Sequence, residues 1–191
     1  MQDRSAGYEQ AADVFILRRN PVIGAAIVRE WSGSLVRGTS VLDLGCGSGV
    51  PVSQVLHDQG FKLYGIDASA KMIAAYRERF PEAHTECADV ADSTFFNRTF
   101  DAVIAWGLIF LLEPDAQRAL IGKVSRALKP GGQFVFTSPE RECSWPDSLT
   151  GQNSISLGSH AYKGLLHEEG LMLLSEQSDE GDNHYYICVK A

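Results

Sequence analysis

The segment Val41-Leu42-Asp43-Leu44-Gly45-Cys46-Gly47-Ser48-Gly49 constrains the fold more than any other part of this chain. A short apolar run ending in glycines reads as a parallel strand covered on both faces. The glycines let the backbone turn sharply and approach a ligand closely. The next residues, Val50 to Gln59, form a helix closed by Gly60, so outward-pointing amides stand at a helix start.

Strands and helices then alternate. Lys62 to Asp67 is a second strand, and Ser69 caps a helix whose Met72, Ile73, Tyr76 and Phe80 face inward until Pro81 stops it. A weaker strand covers Ala83 to Cys87, a fourth Asp101 to Ala105, a helix Pro114 to Leu128, and a fifth strand Gln133 to Thr137. Such alternation implies an α/β fold, a Rossmann-like doubly wound sheet with right-handed crossovers and helices on both faces. The end differs. After a helix from Ser159 to Glu169, Leu171 to Glu176 and His184 to Val189 are spaced as a hairpin, so the last strand should run antiparallel. Before the sheet, Pro21 separates two amphipathic helices, one with Tyr8, Ala12, Phe15 and Ile16 on its stripe, the other with Val22, Ile23, Ala26, Ile27 and Trp31.

At 191 residues with 45% apolar content, one domain over 1–191 is expected. The net charge of -7 disfavours nucleic acid as a partner. No run approaches the roughly 20 apolar residues of a membrane span. The start, Met1-Gln2-Asp3-Arg4-Ser5, has no apolar segment, so a cytoplasmic protein is expected. Cys46, Cys87, Cys143 and Cys188 form no Cys-x-x-Cys pair, and the five histidines show no His-x-x-x-His spacing. No metal site is expected.

Asp67 ends the second strand, 22 positions after Gly45, where a carboxylate accepts hydrogen bonds from a ribose diol. NAD and S-adenosylmethionine both suit these features. Three observations favour the second. The loop is Gly-x-Gly-x-Gly followed by Val50 and Pro51, without the third small residue one place later that the dinucleotide fingerprint wants. Too few residues follow Gly132 for a nicotinamide half-site and a catalytic domain. Finally, Cys87-Ala88-Asp89-Val90 ends strand three with a carboxylate placed to meet an adenine amino group.

Together with Ile66-Asp67, Ala88-Asp89-Val90, Phe100-Asp101-Ala102-Val103 and Leu128-Lys129-Pro130-Gly131-Gly132, the glycine loop resembles the class I S-adenosylmethionine-dependent methyltransferases over roughly residues 41 to 138. The resemblance implies a seven-stranded sheet of order 3-2-1-4-5-7-6, with residues 1–38 as a helical lid on a core of 39–191. It implies that Gly45, Cys46 and Gly47 pass close to the methionine part, that Asp67 holds the ribose, and that Asp89 and Val90 frame the adenine with Ala68 and Met72 packed on it. Ala105 and Trp106 would pass beneath the sulfonium. Asp43 would sit under the methionine amino group or merely brace the loop. Arg18 or Arg19 would pair with the methionine carboxylate or be an exposed helix-end residue, and Tyr8 would be a lid contact or core.

Methyl transfer from a sulfonium needs alignment and a dry pocket more than a base. Strand four ends in Ala105-Trp106-Gly107-Leu108, unlike the Asn-Pro-Pro-Tyr type of motif of enzymes that methylate base amines, and the apolar run through Phe110 and Leu111 favours a small-molecule acceptor or simply packs the next helix. The tail loop Asp179 to His184 should bring His184 and Tyr185 near the irregular stretch Glu140 to Gly151, which holds Trp145 and Asp147. Trp106, Phe110, Trp145 and Tyr185 are then acceptor contacts and His184 a candidate base. A protein side-chain methyltransferase and a non-catalytic cofactor-binding module are the rival readings, and the oligomeric state is open.

Overall fold

The computed structural model describes residues 4–191; Met1, Gln2 and Asp3, part of the start considered above, lie outside the described residues. Two helices, α1 (Tyr8–Arg18) and α2 (Ala25–Ser32), precede a seven-stranded sheet. Its strands are β1 (Ser40–Leu44), β2 (Lys62–Asp67), β3 (His84–Cys87), β4 (Phe100–Ala105), β5 (Leu128–Thr137), β8 (Leu171–Ser178) and β9 (His184–Lys190). The remaining helices are α3 (Val52–Asp58), α4 (Ala70–Arg79), α5 (Pro114–Ala127) and α6 (Gly158–Glu168). The order is β3-β2-β1-β4-β5-β9-β8, parallel from β3 through β5, with β9 antiparallel to both neighbours. This is the expected order once a separate hairpin, β6 (Glu142–Pro146) and β7 (Asn153–Leu157), is counted.

Each sheet face buries its own core, as the period of a strand requires. Leu42, Leu44, Val103, Phe134, Phe136 and Tyr186 pack with α5 and α6. Val41, Leu63, Ala102, Ile104, Val135 and Tyr185 pack with α2, α3 and α4.

Two expectations are corrected. Val22 is 65% exposed, and Ala26 is also exposed. The second helix starts only at Ala25, after Gly24 at φ 79°, so its buried stripe is Ala25, Ile27, Val28 and Trp31. The stretch from Glu140 to Gly151 is not irregular throughout. Its first strand pairs with β7, and Trp145 packs on Phe110 with ring centroids 5.3 Å apart. No helix among the described residues is long and apolar enough to cross a membrane. None of their His, Cys, Asp and Glu side chains gathers in a group of three or more able to hold a metal.

Candidate active site

Beyond the carboxyl ends of β1 to β4 lies a cavity of about 430 Å³, inside the range of roughly 300–1,000 Å³ usual for small ligands. The loop after β1 forms its floor. Gly45 has φ 65°, and a Cβ there would meet Leu108 Cδ1 at 3.0 Å; Gly47 has φ 52° and faces Phe15 and Met72. Left-handed backbone explains both glycines, and the close approach of Leu108 adds a steric reason at Gly45.

Asp67 is the hub of this floor. Its Oδ2 accepts the Gly47 amide at 2.8 Å and its Oδ1 the Ser69 amide at 2.8 Å. Each oxygen keeps a further lone pair, so the carboxylate can still receive two hydroxyls. Burial pushes its pKa above the ordinary value, against the pull of the two amides. Asp43 lines the same cavity and accepts from Ser53 Oγ at 2.7 Å, and Ser53 Oγ is 2.7 Å from the Tyr76 hydroxyl. Burial raises Asp43 to about 7, only partly offset by the Ser53 bond. Two desolvated carboxylates facing one cavity favour a ligand carrying positive charge and hydroxyl donors.

Ala68, Met72, Asp89 and Val90 continue the wall, and Cys46 lines it beside the loop. Asp89 Oδ1 accepts the Ala91 amide at 2.9 Å. The first helix crosses above. Glu9 Oε2 accepts from Ser69 Oγ at 2.6 Å and from the Lys71 amide at 3.2 Å, which pins α1 to the positive end of the α4 dipole. From α1 and the residue after it, Tyr8, Phe15 and Arg19 reach the cavity. Arg19 Nε donates to the Val50 carbonyl at 2.9 Å, and its guanidinium lies 4.1 Å from the Trp106 ring centroid and 4.9 Å from that of Phe15. Burial lowers its pKa to about 10, so it stays cationic at neutral pH. No carboxylate among the described residues forms an ion pair with it.

The other half of the cavity is apolar. Trp106 and Phe110 line it with Leu108 and Leu149, and the β6–β7 turn adds Asp147 and Ser148. Trp106 Nε1 donates to the Tyr185 hydroxyl at 2.6 Å, which donates to Asp179 Oδ2 at 2.8 Å. The tail loop stands at this edge of the sheet, where Asn183 reaches the cavity and Glu180 Oε1 accepts the Gly24 amide at 3.2 Å.

The structure thus gathers Tyr8, Asp43, Gly45, Cys46, Gly47, Asp67, Ala68, Met72, Asp89, Val90, Trp106 and Phe110 around one space. Trp145 stands behind Phe110, Tyr185 behind Trp106, and the fully buried Ala105 does not reach the cavity. Two residues are elsewhere. Arg18 is the exposed last residue of α1, whereas Arg19 follows the helix with extended backbone and reaches the cavity. His184 lies on the opposite sheet face from Tyr185, with Nε2 3.2 Å from Glu176 Oε1 and its ring against Tyr186. Sequence alone gives Phe15 and Leu149 no site role, although Phe15 lies on the apolar stripe of α1.

Residues 41–132 match the family model described as a methyltransferase domain. The malonyl-[acyl-carrier protein] O-methyltransferase of Enterobacter lignolyticus is 30% identical over 132 residues, 69% of this chain and 51% of that protein. The chain spans about half the length of the first curated relatives it matches. Among solved structures, the CcbJ methyltransferase of Streptomyces caelestis aligns over 100% of both chains with a TM-score of 0.78 at 19% identity. The 1,6-didemethyltoxoflavin-N1-methyltransferase of Burkholderia thailandensis, with its substrate and S-adenosylhomocysteine bound, aligns over 97% of this chain and 84% of that one, TM-score 0.75 at 18% identity. These two likenesses concern the fold. With the domain match spanning the glycine loop, Asp67 and Asp89, and the sheet order the same as the family's, the chain belongs to the class I S-adenosylmethionine-dependent methyltransferases.

Proposed function

We propose that this chain binds S-adenosylmethionine over the glycine loop and transfers its methyl group to a small-molecule acceptor held against Trp106 and Phe110. One observation carries the reading: Asp43, Asp67 and Arg19, a cation with no ion pair among the described residues, line a single cavity, a set of charges complementary to the ammonium, ribose diol and carboxylate of that cofactor. S-adenosylmethionine, when bound, supplies a methyl group already activated on a sulfonium.

What remains for the protein is alignment and exclusion of water. Asp67 holds the diol with its two free lone pairs while its amide bonds keep the loop in register. Arg19 takes the carboxylate and Asp43 the ammonium. Met72 and Val90 sandwich the flat base, with Asp89 at its edge. Of the 1–38 segment the lid is α1, which with the β6–β7 turn covers the apolar half, while α2 belongs to the core layer on the sheet. That cover suits a small acceptor better than a protein side chain presented from an open groove, and the 1,6-didemethyltoxoflavin-N1-methyltransferase of similar fold holds the small molecule 1,6-didemethyltoxoflavin.

Calorimetry tests the first half: S-adenosylmethionine and S-adenosylhomocysteine bind at micromolar concentrations and NAD does not. NAD binding with neither adenosyl compound detectable would overturn the reading. Consumption of S-adenosylmethionine against a metabolite panel tests the second half. No turnover with any metabolite, beside turnover with a peptide, would move the acceptor to a protein.

A further inference from the structure

The β6–β7 turn carries a carboxylate, Asp147, to which the cofactor reading above assigns no role, and its surroundings select what can approach it. Asp147 Oδ1 is saturated: it accepts the Leu149 amide at 3.0 Å, the Thr150 amide at 2.8 Å and the Thr150 hydroxyl at 3.0 Å. Its Oδ2 accepts one bond, from the Tyr8 hydroxyl at 3.1 Å. Partial burial opposes ionisation, but the Thr150 and Leu149 bonds outweigh it and hold the carboxyl below its ordinary range. Burial and Asp147 push the Tyr8 phenol well above its own. At neutral pH the pair is therefore a carboxylate beside an intact phenol whose only proton is already given to that carboxylate.

Both residues line the cavity, and Asp147 lies on the side of Phe110, whose ring packs on Trp145 of the same hairpin. What the pair can offer inward is a second lone pair on Oδ2 and the lone pairs of the Tyr8 oxygen. The pair offers acceptors and no donor, so the point where a ligand meets it receives hydroxyl or amino groups and disfavours carboxylates and phosphates, while the cavity cation Arg19 is assigned above to the cofactor carboxylate. We infer that Asp147 and Tyr8 form the polar end of the acceptor subsite, and that the methyl acceptor is an apolar or aromatic small molecule bearing a hydroxyl or amino group on the end that meets them. This inference rests on the function proposed above.

The test uses binding of three matched probes, 2-naphthol, 2-naphthylmethylamine and 2-naphthoic acid, followed by fluorescence with and without saturating S-adenosylhomocysteine. The naphthol and the amine bind at least tenfold more tightly than the acid. Asp147→Asn keeps an acceptor for the turn amides but replaces one cavity-facing oxygen by a donor. It lowers affinity for the amine about 10-fold to 100-fold, while S-adenosylhomocysteine affinity by calorimetry stays within twofold. An acid that binds as well as the amine in wild-type protein overturns the inference, whatever the variant does. So does an Asp147→Asn variant that keeps the wild-type preference. Failure of S-adenosylhomocysteine to bind is a separate result, counted against the cofactor reading, and the probe ranking is then judged in Arg19→Ala protein, where the cavity cation that would capture the acid is gone.

Discussion

The guanidinium of Arg19 lies 4.1 Å from the centroid of the Trp106 ring, so a cation from the end of α1 is clamped over the residue that follows β4. The stack fixes its direction, the Val50 carbonyl takes its Nε, and the remaining donors are available to an anion. Arg19→Ala should weaken S-adenosylmethionine binding about tenfold or more. Arg18→Ala should leave it unchanged, since Arg18 is exposed. Calorimetry of both variants decides; equal affinities would remove the carboxylate assignment.

Asp67 does two jobs, because the oxygens that face the cavity also hold the Gly47 and Ser69 amides. Asp67→Ala should cost about 1–3 kcal/mol of cofactor affinity by leaving buried hydroxyls unpaired. Thermal melts with and without S-adenosylhomocysteine separate loop damage from lost contact. A variant still stabilised as strongly by the ligand as wild type would show that the ribose lies elsewhere.

Asp43 gives the site a pH dependence with a defined sign. Its folded value is raised by burial from the ordinary 3.8 to about 7, so between those two values the folded state binds more protons than the unfolded chain. Stability therefore falls as pH rises through that window, by an amount on the order of a few kcal/mol. Cofactor affinity moves the other way, because the ammonium is drawn only to the ionised carboxylate. Urea unfolding at pH 5 and pH 8, with calorimetry at the same values, measures both. Asp43→Asn should remove its share of both profiles and leave that of Asp67, whose carboxyl burial also raises, and an affinity unaffected by pH in wild type would separate Asp43 from the ammonium.

The wound sheet was legible because its strands are short apolar runs punctuated by glycine and by caps such as Ser69, whose side chain accepts the Met72 amide. The floor of the cavity was legible for the same reason, since Gly45, Gly47 and Asp67 are set by local backbone demands. The β6–β7 hairpin was not. Glu142-Cys143-Ser144-Trp145-Pro146 is mostly exposed and has no apolar alternation. Its anchorage is tertiary: Gln117 Nε2 donates to the Ile155 carbonyl at 2.8 Å, and Ser156 Oγ meets Ser138 Oγ at 3.2 Å. The misplacement of His184 is a matter of parity. Side chains alternate along a strand, so a correctly placed β9 could send His184 and Tyr185 to one site only if its backbone broke between them.

His184 follows as a negative prediction. It sits among Glu176, Ser178 and Tyr186 on the α6 side of the sheet, away from the cavity. His184→Ala should leave turnover and cofactor affinity intact while lowering stability by about 1–3 kcal/mol, because its largely buried ring packs on Tyr186 and meets Glu176. A large fall in turnover at unchanged stability would restore it to the site.

The wall opposite the cofactor depends on a hydroxyl that never touches the cavity. Tyr185 is fully buried; it accepts from the Trp106 indole at 2.6 Å and donates to Asp179, whose other oxygen orders the tail loop through the Gly181 and Asn183 amides. Tyr185→Phe preserves the ring and removes only that link. The indole N–H and one Asp179 lone pair are then left without a partner, a loss of about 1–3 kcal/mol measurable by urea unfolding. Trp106 is also freed to rotate beneath Arg19, so the acceptor should bind more weakly while the Asp67 end of the cofactor site is undisturbed. Kinetics with any acceptor found should therefore show KM for that acceptor raised several-fold, with a smaller loss of S-adenosylmethionine affinity than Arg19→Ala gives, because the Val50 carbonyl still holds Arg19. A variant of normal stability and normal KM would mean that packing alone, from Arg19 and Gly24, holds Trp106 in place.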